Sequence, residues 1–274
     1  MKKALSVLLA LMMVLSAAVP AFAAEESRTI VYCTITSSKG EFVLPNKTVV
    51  VSDIDNDGAL TINDALYCAH EQYYEGGAAK GYNSYTGQYG LSLGKLWGEE
   101  NSGSLGYYLN NQMAMGLADP VKDGDFLYAW AYQDAKNWSD SYSFFDKNNV
   151  KANSYDTVEV TYTYSSGFDE NWQPVFVPCE GAEITVDGVA TGVKTDKDGK
   201  ASVVIPISGE HIISAKAPKA AEGENQVILT PPICKVTVQF NFIGLLNKII
   251  DTIKDFFSGL LEKAAGLINP APLP

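Results

Sequence analysis

Histidine is scarce in this chain of 274 residues, which limits the catalytic chemistry available to it. The two histidines, His70 and His211, are far apart in the sequence, and neither a GxSxG nor an HExxH motif is present. No glycine-rich phosphate loop occurs, and the adjacent Glu99 and Glu100 are more typical of solvated charges than of a glycosidase pair. His70 is two positions from Cys68 on the predicted helix, so the two side chains point in different directions and His70 cannot activate the Cys68 thiol. The sequence therefore predicts a protein that is not an enzyme.

Basic residues are also few. Lysine and arginine together number 20, against 32 aspartate and glutamate residues, which gives a net charge of −12. An acidic surface repels the phosphates of nucleic acid, and we expect no nucleic-acid partner.

A long apolar run is present only near the start of the chain. It follows Lys2 and Lys3, is broken by Pro20 and ends at Ala23 in a small-residue cleavage site. We predict that residues 1–24 are a secretory signal peptide and that the mature protein is secreted or lies at a bacterial cell surface. Its removal takes away two lysines and no acid, which moves the net charge from −12 to −14.

Cysteine is limited to four residues, Cys33, Cys68, Cys179 and Cys234, and no two of them have CxxC spacing. Zinc and thioredoxin-like chemistry therefore have no support. An even number of cysteines in an exported protein makes all four disulfide candidates, and their order favours the pairs Cys33–Cys68 and Cys179–Cys234. Four buried free thiols are the alternative, and the sequence leaves both open.

The hydropathy pattern divides the mature chain into three parts. Residues 25–154 contain a hairpin, one main helix and later short strands, which predicts an α+β domain. In its last strand, Tyr128 and Trp130 share one face and Leu127 lies on the other. Residues 155–242 are regularly spaced strands with Asp-Gly turns, typical of an all-β sandwich. Residues 243–274 form an amphipathic helix and a proline-rich tail.

Residues 53–64 carry the most specific pattern in the sequence. Carboxylates occupy positions one, three, five and twelve of this loop, a glycine stands at position six and an apolar residue at position eight. This spacing of oxygen ligands wraps a hard cation. An acidic turn ahead of a helix is the alternative. We predict calcium as a cofactor, bound by Asp53, Asp55, Asp57, the backbone carbonyl of Ala59, and Asp64.

Two details of the loop favour a structural ion over a calcium switch. Asp64 stands where sensor loops carry a longer, bidentate glutamate. A predicted strand, and not a helix, precedes the loop, so the paired helices of a sensor are missing. The EF-hand-like loop resembles the dockerin-type loop of bacterial assemblies, although a dockerin uses two loop–helix repeats and one is visible in this sequence.

The residues that follow the loop carry a further resemblance. Residues 61–66 match a T-hydrophobic-x-D-A-L helix start, residues 106–110 a G-(W/Y)-Y-(V/L)-N strand, and residues 123–126 a DGD-hydrophobic strand. Over residues 28–135 the chain resembles a bacterial surface-domain family related to the C-terminal domain of transcobalamin and intrinsic factor. The resemblance implies a β-grasp-like head, with one main helix on a mixed sheet. Residues 155–242 are similar to bacterial Ig-like and transthyretin-like modules.

The resemblance leads to three functional hypotheses. The first is a calcium-stabilised binding or adhesion protein without catalytic activity. The second is capture of a corrinoid such as cobalamin, or of another small ligand, with His70 or His211 as the available cobalt ligands. We expect His70 to be a surface or half-buried residue of the helix. The third is a degenerate dockerin-type assembly module.

Two features predict partners for the mature protein. Aromatic residues are concentrated beyond the main helix and form a candidate surface for a glycan, peptide or small ligand, unless they fill the core. They are Tyr82, Tyr85, Tyr89, Trp97, Tyr107 and Tyr108. The C-terminal helix repeats apolar residues every seven positions and carries too many charges to span a bilayer. It is predicted to dock on its own domains, to self-associate, or to contact a membrane surface.

Overall fold

The structure is a computed structural model that describes residues 28–218 and 227–268. The predicted signal peptide, residues 1–24, and the last six residues of the predicted tail lie outside the described residues. The strands are β1 (Thr29–Thr36), β2 (Phe42–Val51), β3 (Asn83–Gly87), β4 (Gly90–Lys95), β5 (Leu105–Leu109), β6 (Gln112–Met113), β7 (Phe126–Ala131), β8 (Ser143–Phe145), β9 (Asn149–Asn153), β10 (Thr157–Phe168), β11 (Pro174–Pro178), β12 (Glu183–Val186), β13 (Val189–Lys194), β14 (Lys200–Val204), β15 (Gly209–Lys216) and β16 (Cys234–Gln239). The helices are α1 (Ile62–Tyr73), α2 (Ala78–Gly81) and α3 (Phe242–Ile268).

The first unit is built on a five-stranded sheet with strand order β2-β1-β7-β5-β6. β1 and β2 form an antiparallel hairpin, whereas β1 and β7 pair in parallel, so the sheet is mixed. Because side chains alternate along a strand, β7 directs Leu127 into one core and Tyr128 and Trp130 into another on the opposite face. The two faces predicted for this strand are confirmed.

Helix α1 covers one face of this sheet, against β1 and β2. Its N-cap is Thr61, whose side chain accepts a hydrogen bond from the backbone N–H of Asp64, while the Asp64 carboxylate accepts one from the backbone N–H of Thr61. This capping box satisfies donors that an open helix end leaves unpaired. Ala65, Leu66 and Ala69 are fully buried against the sheet, as the apolar pattern of the helix predicts.

The second unit is a sandwich of two sheets. One sheet has strand order β11-β10-β14 with β8 paired to β10, and the other has order β13-β12-β15-β16-β9. Val160 and Tyr162 of the first sheet meet Ile213 and Val236 of the second in a common core. The all-β character expected for this half of the chain agrees with the arrangement.

Two strands of the sandwich precede residue 155, where the sequence suggests that the second unit begins. β8 pairs antiparallel with β10, and β9 pairs parallel with β16. β9 is an edge strand in which only Val150 and Ala152 pack on the core, and its other residues are exposed. So few apolar residues give a weak strand signal, and for this reason the segment resembles a polar connection in the sequence.

The two units pack together through aromatic side chains. Tyr108, Tyr128 and Trp130 from the outer face of the first sheet form a cluster with Tyr142 and Ile233. The rings of Tyr108 and Tyr142 are stacked with centroids 4.0 Å apart, and the Tyr128 hydroxyl donates a hydrogen bond to the carbonyl of Pro231 at 2.7 Å. This interface positions residues 132–142 and the end of β10 next to each other.

All four cysteines are buried free thiols, so the disulfide pairs Cys33–Cys68 and Cys179–Cys234 are not present. Cys68 lies in α1 with its Sγ 3.5 Å from the hydroxyl of Ser52, beyond the end of β2. Burial raises the pKa of Cys33 and of Cys234 to about 12 and that of Cys179 to about 11. These three thiols therefore stay protonated near neutral pH, which makes them poor nucleophiles.

Helix α3 begins directly after the sandwich. Asn241 caps it, because its side-chain oxygen accepts a hydrogen bond from the backbone N–H of Gly244 at 3.1 Å, and the backbone N–H of Asn241 donates to the hydroxyl of Ser154. Beyond Leu245, every residue through Lys263 except Gly259 is exposed. Among the described helices, none combines the length and apolar character needed to cross a membrane.

Candidate functional site

The predicted calcium loop brings three carboxylates together. One carboxylate oxygen from each of Asp53, Asp55 and Asp57 lies within 4.8 Å of the other two. The loop holds this shape through its backbone, because Asp53 accepts hydrogen bonds from the N–H groups of Asn56 at 2.7 Å and Gly58 at 2.8 Å. Gly58 has a φ of +88°, a conformation that L side chains rarely adopt.

Asp64 has a different role from the other three predicted carboxylate ligands. It is almost fully buried, and besides capping α1 at Thr61 it accepts a hydrogen bond from the backbone N–H of Ile54 at 3.0 Å. Asp64 therefore links the start of the helix to the start of the loop. The described residues place Asp53, Asp55 and Asp57 in one acidic cluster and leave Asp64 as the residue that fixes the cluster to α1.

The charges of the cluster affect one another. The hydrogen bond from the Gly58 N–H lowers the pKa of Asp53, whereas loss of hydration and the negative charge of Asp57 raise the pKa of Asp55. A bound cation relieves this repulsion between neighbouring carboxylates. Two oxygens on opposite sides of a calcium ion lie about 5 Å apart, so a spacing within 4.8 Å fits this ion and its preference for oxygen ligands.

His70 is fully buried, which corrects the expectation that it lies at or near the surface. Its Nδ1 donates to the carbonyl of Leu66 at 2.6 Å, and its Nε2 accepts the backbone N–H of Trp97 at 2.8 Å. This pair of partners requires a neutral ring with the proton on Nδ1. Burial lowers the pKa of His70 from its ordinary 6.5 to about 4. With both nitrogens engaged, His70 joins α1 to the residues after β4 and is not available to a cobalt ion.

His211 is also engaged at both nitrogens. Its Nδ1 lies 2.7 Å from a carboxylate oxygen of Asp187, and its Nε2 lies 2.9 Å from the carbonyl of Ile207. The contact with Asp187 holds the turn between β12 and β13 against β15, and the contact with Ile207 joins β15 to the segment that precedes it. Neither histidine of the chain therefore presents a free nitrogen to a metal in this structure.

The six aromatic residues predicted to bind a ligand do not form one surface. Tyr82 is buried and donates to the Asn63 side chain, and Trp97 is half-buried beside the His70 ring. Tyr85 and Tyr89 are exposed on the β3–β4 hairpin. The remaining two, Tyr107 and Tyr108, both border a cleft beside β5. Their side chains point to opposite faces of the sheet, because adjacent positions on a strand alternate, and they pack on different cores.

This cleft lies between the two units and has a volume of about 380 Å³. Its floor consists of Tyr108, Trp130 and Tyr142, whose rings pack on one another. Its walls come from β5, from residues 138–142, and from residues 165–168 at the end of β10. The size is at the lower end of the range for sites that bind small molecules.

Trp138 forms an exposed edge of the cleft. Its side chain is 67% exposed, although a tryptophan normally buries most of its surface. The indole N–H donates to the hydroxyl of Ser104 at 2.7 Å, and Ser104 in turn donates to the carbonyl of Ala135 at 2.8 Å. Trp138 also has a φ of +53°, which is unusual for a bulky residue. The ring is therefore held in place while its surface faces solvent.

The polar groups of the cleft suit an uncharged ligand. Among the described residues that line it, none is lysine or arginine, and the carboxylate of Asp140 already accepts the backbone N–H groups of Gln133 and Asp134. Trp130 is 2% exposed, and its Nε1 has no hydrogen-bond partner among the described residues. A buried donor without a partner costs free energy unless another group accepts its hydrogen bond.

The sequence alone identifies only some of the residues that line this cleft. The alternation in β7 identifies Trp130 as lying on an aromatic face, and Trp138 stands out as a large apolar residue in the polar stretch KNWSDS. The other wall depends on residues 165–168, which come next to Trp138 only after β10 pairs with β8. A contact between segments so distant in sequence has no local pattern.

No protein-family model matches the chain, and no curated protein is found to be similar to it. Among solved structures, the chain is similar to one described as "Structures of Clostridium thermocellum CbhA fibronectin(III)-like modules". The two are 14% identical, the TM-score is 0.27, and the match covers 59% of this chain and 80% of that chain. A TM-score of this size is below that of a shared fold, so the architecture described above rests on the strand pairing of the chain itself.

Proposed function

We propose that this chain is an exported bacterial binding protein without catalytic activity, and that the cleft between its two units holds the ligand. The observation that carries this proposal is Trp138, an exposed ring fixed by a hydrogen bond at the edge of a cleft with an aromatic floor. Rings that are fixed before binding lose little conformational entropy when a ligand stacks on them. Raised thiol pKa values and fully engaged histidine nitrogens support a role without catalysis.

The ligand class that suits the cleft is a neutral saccharide. A sugar ring presents apolar C–H groups to an aromatic face and hydroxyl groups to polar neighbours such as Ser139. An anionic ligand would meet no lysine or arginine among the described residues of the lining and would be repelled by the acidic protein.

Calorimetric titration with a panel of neutral oligosaccharides tests the proposal. We expect at least one of them to bind, and Trp138→Ala to weaken that binding at least tenfold, or about 1.4 kcal/mol. Tyr89→Ala is the matched control, because Tyr89 is 94% exposed and lies outside the cleft. Equal loss in both variants, or binding of cobalamin or peptides in place of every saccharide, would contradict the assignment.

The acidic loop is proposed to bind calcium as a structural ion. The site combines Asp53, Asp55 and Asp57 with a direct hydrogen-bonded connection through Asp64 to the first turn of α1. Residues 60–63 are also bonded to residues 117–121, since Ile62 donates to the carbonyl of Asp119 and Val121 donates to the carbonyl of Leu60. Calcium in the loop would therefore stabilise α1 and the segment packed against its start.

Removing calcium is expected to lower the melting temperature of the protein. An ion present at 100 times its dissociation constant stabilises the folded state by about 2.7 kcal/mol. Thermal unfolding with calcium and with chelator measures the difference, and Asp55→Asn with Asp57→Asn should remove the response. Asp198→Asn is the control, because Asp198 lies in an acidic turn without the calcium-loop spacing. If chelator changed dye binding and left the melting temperature unchanged, the loop would be acting as a switch.

The domain types are part of the same proposal. A parallel β1–β7 pair, a β1–β2 hairpin and α1 on one face support a β-grasp-like first unit. Two packed sheets support an Ig-like second unit. The second unit would then serve as a spacer that presents the cleft and the first unit away from the point of attachment.

A further inference from the structure

Helix α3 leaves a broad apolar surface uncovered by the other described residues. Ten large apolar side chains between residues 242 and 261 are between 41% and 70% exposed, among them Ile253 at 51%, Phe256 at 64% and Phe257 at 59%. A monomeric protein rarely exposes so much contiguous apolar surface without a partner. The hydrogen bonds at Asn241 hold only the start of the helix against the sandwich. The expectation that α3 docks on its own units is therefore not met by the described residues.

The apolar face of α3 is broad. With about 100° of rotation per residue, the apolar side chains from residue 242 to 261 cover an arc of about 160° centred near Ile253. A two-stranded coiled coil uses a narrower seam, with oppositely charged residues along its edges. The edges of this arc carry Ile243 and Leu261 on one side and Leu245 and Phe256 on the other, with Lys254 and Lys263 beside them. No acidic residue at these edges is available to pair with the lysines of a second copy.

The charged residues of α3 are ordered around the same arc. Asp251, Asp255 and Glu262 all fall within about 20° of the direction opposite Ile253. Lys254 and Lys263 stand at the two borders of the apolar arc, about 100° and 80° from its centre. Lysines at such borders can extend their charged ends to the water side while their methylene chains remain in an apolar layer. The acidic residues would then lie furthest from that layer.

We propose that α3 lies in the plane of a phospholipid bilayer surface, with the arc around Ile253 in the boundary between headgroups and acyl chains. Burial of apolar side chains supplies the attraction. The helix holds three lysines and three acidic residues between 244 and 263, so its own charge adds no attraction to anionic lipid. The charge of the whole chain opposes it. Binding should therefore depend little on anionic lipid or on salt, unlike that of a basic surface helix.

Flotation of the full mature chain with phosphatidylcholine vesicles tests this proposal. We expect the protein to float with vesicles, and added phosphatidylglycerol to leave binding unchanged or weaker. The double variant Phe256→Glu with Leu260→Glu should reduce binding at least tenfold. The control, Asn247→Glu with Ser258→Glu, adds the same charge on the polar side and should bind as the parent does.

A fluorescent reporter covers the case in which the double variant fails to fold. Phe257→Trp places an indole within the apolar arc, and its emission should shift to shorter wavelength on addition of vesicles. Sedimentation measurements without lipid distinguish a second copy from a bilayer. A stable oligomer that does not float, or equal loss of flotation in both double variants, would overturn the proposal. These experiments contain no saccharide, so their results do not depend on whether the cleft binds a ligand.

Discussion

Replacing Gly106 with alanine is expected to lower the free energy of unfolding by about 3 kcal/mol, at the upper end of the usual cost of overpacking a core. A Cβ atom at this position would lie 2.5 Å from Cε2 of Trp130 and closer still to Cζ2. Trp130 has little room to move, because it is 2% exposed and its ring contacts those of Tyr108 and Tyr142 at the unit interface. Urea unfolding followed by circular dichroism measures the change.

A double-mutant cycle with Trp130→Phe separates this contact from other effects of alanine. The smaller ring leaves space for the Cβ, so the paired variants should be more stable than the sum of the single losses, by about 1 kcal/mol or more. Gly116→Ala is the control, because its Cβ would lie 4.0 Å from its nearest neighbour and its φ lies outside the left-handed region. Additive losses in the cycle would show that Gly106 and Trp130 are not coupled.

Acidification from pH 6.5 to pH 4 is expected to destabilise the protein by about 3 kcal/mol through His70 alone. Burial lowers the pKa of His70 from 6.5 to about 4 in the folded protein, whereas the unfolded chain keeps the ordinary value. Between these two pKa values the unfolded state binds one proton more than the folded state. The free energy of unfolding therefore falls as the pH falls through this window. Above the window His70 is neutral in both states, and its titration costs no stability.

The effect of His70 is measured as a difference between two proteins. In His70→Gln the side chain does not titrate, so the dependence of stability on pH should be shallower by up to about 1.4 kcal/mol per pH unit within the window. Other titrating groups contribute equally to both proteins and cancel. Nuclear magnetic resonance of the wild-type imidazole gives an independent reading, and we expect the His70 ring to remain neutral at pH 5. A ring that titrates near pH 6.5 would contradict the prediction.

The parts of the structure that follow local rules were predictable from the sequence. Thr61 and Asp64 stand three residues apart ahead of an apolar run, and they form the capping box that starts α1. The alternation of β7 predicts the opposite faces of Leu127 and Trp130, because side chains on a strand alternate with a period of two. Asp53, Asp55 and Asp57 also follow a local rule, because the contacts between their carboxylates join residues only a few positions apart.

The remaining features depend on contacts between distant segments. His70 is buried because the backbone of Trp97 covers its Nε2, and no pattern around His70 encodes a partner 27 residues away. β9 is recognisable only through its pairing with β16, since its own residues are mostly polar. The cleft at Trp138 needs the end of β10 beside it. In each case the deciding residue is ordinary in its local sequence and acquires its role from the tertiary packing.

The position of α3 in the chain has a mechanical consequence. Only Phe240 and Asn241 separate the helix from β16, which is bonded to β15 on one side and to β9 on the other. If α3 is held at a bilayer as proposed, tension on the protein enters the sandwich through β16. A strand paired on both sides leaves its sheet only when both ladders break, so the load is shared between two rows of hydrogen bonds. Helix α3 is thus joined to a strand that is hydrogen-bonded on both sides and not to an edge strand of the sheet.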